Sequence, residues 1–139
     1  MDLRFERRTW TLVYLCLGVI EGGTAAVMVR SLFGTREETV EAVRRHGRRL
    51  ADPLWPMPLW SGYDDEISSR VADVNNVSGS TFAGAIIGGL FLKRFVIESK
   101  DWLHVDLFGW NPKDRPGRPV GAEPQVVRAL YALLTDRYG

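Results

Sequence analysis

D-P-L-W-P-M-P-L-W (52–60), S-S-R-V-A-D-V-N-N (68–76), F-A-G-A-I-I-G-G-L-F-L-K-R-F (82–95) and W-L-H-V-D (102–106) are the four blocks that decide how this chain folds. In the first, Pro53, Pro56 and Pro58 fix φ and remove backbone donors, so residues 53–60 should run extended. In the second, Asp73, Asn75 and Asn76 carry short polar side chains suited to turns and caps that bond nearby backbone. Residues 82–96 are apolar nearly all round, with Gly84, Gly88 and Gly89 inside a helical pattern. Glycine weakens a helix, so its use there predicts close backbone packing against a neighbour. Residues 102–108 alternate imperfectly between apolar and polar and read as a strand.

Working outward, residues 11–19 are rich in β-branched and aromatic side chains on both faces, the pattern of a central strand in a sheet covered on both sides. Thr35-Arg-Glu-Glu38 has the form of a capping box, which predicts a helix over residues 36–51 with Val40, Val43 and Leu50 on its inward stripe. Asp52-Pro53 should end it. Toward the C-terminus, the three prolines in residues 111–119 predict a surface loop. Pro124 suits a first helical position, and Val127, Leu130, Tyr131 and Leu134 form the expected core stripe of a last helix. Strand, helix, loop, helix, strand and helix in that order make an α/β fold. With 139 residues, the chain has room for one domain with a genuine core.

Composition excludes some functions. The 18 basic and 17 acidic residues leave a net charge of +1, which provides no electrostatic basis for binding nucleic acid or an anionic membrane. Cys16 has no partner for an internal disulfide and lies in the apolar run L-V-Y-L-C-L-G-V-I, the setting of an inert, reduced thiol. Arg4, Arg7 and Arg8 ahead of the apolar residues 11–20 have the outline of a secretory signal. However, Glu21 ends that run, and a second apolar stretch follows where a cleaved leader would stop. A spanning helix needs about 20 continuous apolar residues, which Glu21 also prevents. These features fit a cytoplasmic protein.

Three clusters invite a chemical reading, and each has a structural one that accounts for it better. Asp64-Asp-Glu66 could hold a metal, but adjacent acids are also what a helix start favours, and no His, Cys or Lys stands at ligand spacing. His104 and Asp106 share one face of their strand, as i and i+2 do. No nucleophile motif accompanies them, so a structural histidine is expected. Arg44-Arg-His-Gly-Arg-Arg49 could grip phosphate, yet cations in the last turns of a helix complement its dipole, and no aromatic residues interleave with them.

In order and spacing, the four blocks resemble the C-terminal part of the leucyl (cytosol) aminopeptidases, from about Glu37 to about Leu134. The resemblance implies a partial aminopeptidase-like catalytic domain over residues 35–139, with mixed-sheet strands flanked by helices. Residues 1–34 fit the family poorly and form a divergent segment with one strand. The family removes N-terminal residues from peptides using two divalent ions, manganese or zinc. Its ligands are a Lys, three Asp and a Glu, most of them in a segment resembling N-T-D-A-E-G-R. No segment of that form occurs in these 139 residues, so no catalytic or metal-ligating residue is assigned and metal binding by this chain alone is not expected.

The resemblance does carry pocket positions. By order, Leu15-Cys-Leu-Gly18 stands where the family has T-L-T-G, with only Gly18 matching. His104-Val-Asp-Leu-Phe-Gly109 stands where it has H-L-D-I-A-G, which puts Phe108 at a small pocket-lining alanine with Asn111 close by. Gly18, Phe108 and Asn111 are therefore the expected walls of the pocket for the first substrate side chain, Phe108 narrowing it as an internal or pocket-facing ring. The implied function is that of a metallo-exopeptidase hydrolase acting in proteolysis on peptide substrates, of which this chain is a truncated portion inactive alone. The family also implies a homo-oligomer. The alternative is a non-catalytic oligomerisation or assembly protein derived from the same scaffold.

Overall fold

A computed structural model describes residues 12–16 and 30–139. Within them the elements run β1 (Leu12–Cys16), β2 (Ser31–Gly34), α1 (Glu37–Arg49), β3 (Trp55–Pro56), a 3-10 helix (Ser61–Ile67), α2 (Gly84–Lys93), β4 (Trp102–Asp106), β5 (Trp110–Asn111), β6 (Gly121–Ala122) and α3 (Val127–Tyr138). Four strands form one mixed sheet in the order β1-β4-β2-β3. β4 is parallel to β1 and antiparallel to β2, and β3 is parallel to β2. The α/β class is as the sequence implies. Among the described residues, however, β1 lies at an edge and β4 is interior; an apolar run reports coverage of a strand's faces, not its place in the sheet.

The pleat of β4 sorts the core. Leu103 and Val105 point to one side, where they join Leu32 of β2, Val43 of α1, and Ala129 and Leu133 of α3. The alternate residues Trp102 and His104 stack on the other side, their rings 5.9 Å apart, and Phe33 of β2 stacks on His104 at 5.7 Å. Gly89 of α2 packs on that layer: a Cβ there would stand 3.1 Å from Leu59 and 3.4 Å from Phe33. Gly84 and Gly88 face open space, so only one of the three glycines makes the close approach expected of all. Ile67, Ile87 and Leu90 form a separate small core between the 3-10 helix and α2. Around it Phe82, Phe95 and Ile97 stay exposed.

Two helix starts differ from the sequence expectation. The cap position of α1 is Arg36, which makes no side-chain cap bond. The Thr35 hydroxyl is used elsewhere, accepting from Trp102 N–H at 2.9 Å and donating to the Lys100 carbonyl at 3.2 Å. It ties the approach to α1 onto β4, a long-range bond that local capping rules do not anticipate. α3 begins after Val126 and not at Pro124. Its buried stripe is Val126, Ala129 and Leu133, while Val127, Tyr131 and Leu134 are exposed. The helix carries two adjacent apolar stripes sharing Leu130, and periodicity alone does not choose between them.

Candidate functional site

At the carboxyl end of β4 the chain passes through Leu107, Phe108 and Gly109 into the β5–β6 hairpin. Gly109 has φ 67, the left-handed turn that swings the backbone out of the sheet. Phe108 is 46% exposed, so its ring is not internal. Asn111 is buried. Its amide nitrogen donates to the carbonyls of Arg118 at 2.7 Å and Pro119 at 2.8 Å, and its oxygen accepts from Arg115 Nε at 3.1 Å. Asn111 thus closes the loop that the sequence marked as surface, shaping the hairpin with every polar atom of its side chain. Gly18 lies outside the described residues.

Beside this hairpin is an ionic network that the sequence reading did not foresee. Asp52 is wholly buried. Its carboxylate accepts from the backbone N–H of Val126 at 2.6 Å and forms an ion pair with Arg30 at 3.1 Å, not aligned as a hydrogen bond. Val126 holds φ 70, a strained conformation for a β-branched residue, directly at the start of α3. Glu123 pairs with Arg118, with Arg115 at 3.3 Å and with Arg30 at 3.8 Å. Burial would push the Glu123 carboxyl up, but Arg118 by charge and hydrogen bond, Gln125 by hydrogen bond and Arg30 by charge together hold it below its ordinary value. Burial pushes the Arg30 guanidinium down, with Asp52 and Glu123 opposing. R-P-G-R-P in the loop was the available sequence signal, and the carboxylate that answers both of its arginines is Glu123, while Asp52 answers Arg30.

Arg30, Arg115 and Arg118 also face a cavity of 490 Å³, walled by Trp55 of β3 and Trp110 of β5. A second network fastens the opposite ends of the helices. Thr39 of α1 donates to Asp101 at 2.7 Å and accepts from Arg137 of α3 at 2.6 Å, and Arg137 bonds Asp101 at 3.1 Å.

The clusters weighed from sequence are placed apart. Asp64 lies 4.0 Å from Arg94, and Glu66 accepts from Ser78 at 3.0 Å, so these carboxylates do not converge. Among the described residues, no group of three or more His, Cys, Asp or Glu side chains is placed to hold a metal ion. His104 is buried in its aromatic stack, and burial raises the Asp106 carboxyl above its ordinary range despite the opposing pull of His104. In the arginine-rich end of α1, Arg49 lies 3.2 Å from Nδ1 of buried His46, and Nε2 of the same ring lies 3.1 Å from Asp136 of α3. Asn75 accepts from Val77 N–H at 3.2 Å, the turn its block implied. No helix among the described residues is long and apolar enough to cross a membrane.

Residues 22–131 match the family model described as the cytosol aminopeptidase family, catalytic domain. The chain is 40% identical over 103 residues to a probable cytosol aminopeptidase of Mycobacterium tuberculosis, covering 72% of this chain and 20% of that protein. With a probable cytosol aminopeptidase of Geobacter sulfurreducens it shares 38% over 126 residues, 89% of this chain and 24% of the relative. Among solved structures, the cytosol aminopeptidase of Coxiella burnetii superposes with a TM-score of 0.78 at 34% identity, over 91% of this chain and 28% of that one. The bottromycin maturation enzyme BotP superposes with a TM-score of 0.75 at 24% identity, a likeness of fold alone. The chain therefore spans about a fifth to a quarter of the length of the curated relatives it matches.

Proposed function

The chain belongs to the cytosol aminopeptidase family, and we propose that it is the C-terminal, pocket-wall portion of such a catalytic domain, without hydrolytic activity by itself. The observation that carries the reading is the pairing of a close match over residues 22–131 with a set of carboxylates already committed to arginines, serine and backbone. The residues described do not fit a two-metal centre, so no step of hydrolysis is routed through them. In a complete enzyme the divalent ions would activate water and polarise the scissile carbonyl. The role left to this chain is to shape the space for the first side chain of a peptide substrate. Phe108 supplies an open aromatic wall and Asn111 holds the adjoining hairpin, while Gly18 belongs to this proposal by the family's order alone.

Homo-oligomeric assembly in the cytoplasm belongs to the same proposal. The exposed rings of Phe82, Phe95, Tyr131 and Tyr138 support a covered surface, and they equally favour the second reading, a non-catalytic assembly protein on this scaffold. The test is release of an amino-terminal leucine reporter by the purified chain with added Mn²⁺ or Zn²⁺. No EDTA-sensitive turnover is expected. Such turnover, in a preparation free of host aminopeptidases, would overturn the proposal.

A further inference from the structure

The cavity lined by Trp55 and Trp110 has the make-up of a ligand site, and Phe108 is not among its lining residues. Its 490 Å³ falls within the range of about 300–1,000 Å³ typical of small-molecule pockets. Its charge is unbalanced. Three guanidiniums, those of Arg30, Arg115 and Arg118, face two carboxylates, Asp52 and Glu123. Each guanidinium has five N–H donors, and the bonds they make to Glu123, Asn111, Ala51 and Pro53 leave donors over, with buried Arg30 Nε among those without a partner. The side chains of Arg115 and Arg118 are 41% and 20% exposed, so part of that donor capacity is open to solvent.

The walls add a second requirement. Trp55 is 65% and Trp110 47% exposed, and both indoles line the same cavity. A flat apolar body resting on an indole is favoured by stacking, while a carboxylate matches the fork of a guanidinium.

We propose that this cavity binds a small carboxylate carrying a flat apolar group, with Arg115 and Arg118 receiving the carboxylate and Trp55 and Trp110 receiving the ring. Arg30, the most buried of the three and held by Asp52, supplies the surplus positive charge. Turnover is not required, so the site stands or falls separately from the aminopeptidase reading.

The experiment is calorimetric titration of the full chain with 3-phenylpropanoate, alongside the uncharged 3-phenylpropanamide and inorganic phosphate. Saturable one-to-one binding of the carboxylate is expected, with the amide and phosphate each weaker by about tenfold or more, the scale of one lost charge-assisted contact. Arg115→Gln should weaken binding by about tenfold for the same reason. Trp55→Leu, in the aromatic lining, should weaken it several-fold while the melting temperature stays near that of the parent chain. No saturation at millimolar ligand would overturn the proposal. So would an amide or phosphate that binds as well as the carboxylate. Equal affinity in both variants, each melting as the parent does, would overturn it too.

Discussion

Asp52→Ala tests the ionic network where it is most buried. In the native fold this carboxylate accepts from Val126 N–H at 2.6 Å and faces Arg30 at 3.1 Å, with no solvent exposure of its own. Removing it leaves the strained start of α3 without its acceptor, and leaves an arginine with 11% side-chain exposure facing Glu123 at 3.8 Å. Breaking a buried ion pair from one side costs about 3–5 kcal/mol. The lower end applies, because Arg30 keeps Glu123 and the Pro53 carbonyl, and because its pairing with Asp52 lacks hydrogen-bond alignment. For a chain of 139 residues, an unfolding entropy of about 0.3 kcal/mol/K makes a loss of about 3 kcal/mol equal to a fall of about 10 °C in Tm. Calorimetry or urea unfolding measures it. Adding Arg30→Met to the Asp52→Ala chain should recover about 1 kcal/mol or more, since the stranded charge is then gone. A Tm within about 3 °C of the parent, corresponding to about 1 kcal/mol, would refute the view that Asp52 fastens α3 to the rest of the domain.

Three further outcomes follow from the same geometry. Glu123 has its carboxyl pKa lowered by folding, so its stabilisation is present above the unfolded value of about 4.3 and is lost as pH falls through the lower folded value. Urea midpoints of the parent should therefore exceed those of Glu123→Gln at pH 7, with the gap closing below about pH 4; a gap independent of pH would contradict this. Gly47→Ala places a Cβ 2.6 Å from the Asp52 carbonyl oxygen, a backbone atom that cannot step aside, so it should destabilise by about 1–3 kcal/mol despite alanine's better helix propensity. Phe108→Ala should cost about 1 kcal/mol or less, since the ring is half exposed; a loss of about 3–5 kcal/mol, the cost of emptying a buried aromatic site, would put the ring inside after all.

What was legible from sequence divides along the line between local and long-range information. The span of α1, the turn at Asn75, the apolar α2 and the β4 strand follow from proline placement, Asx chemistry and periodicity, all of which act within a few residues. Strand β2 escaped notice because Ser31–Gly34 is only four residues long, and its buried Leu32 and Phe33 face opposite sides of the sheet. Thr35 looks like a cap until β4 arrives to take its hydroxyl, and α3 shows two apolar stripes until Ala129 and Leu133 turn inward. Family order named Phe108 and Asn111 as pocket positions but carried no information on their opposite fates, one exposed and one buried. The arginine network was invisible because its carboxylates, Asp52 and Glu123, are 71 positions apart in sequence and meet only through Arg30.

The central claim is that this chain provides aminopeptidase walls without aminopeptidase ligands. A chimera tests it most directly: residues 30–139 replace the corresponding segment of the Coxiella burnetii cytosol aminopeptidase, whose own upstream part is retained, and leucine-reporter hydrolysis is measured with Mn²⁺ in parallel with the chain alone. The account predicts EDTA-sensitive turnover by the chimera and none by the chain. A chimera that melts cooperatively and yet stays inactive, or a chain that is active unaided, would contradict it.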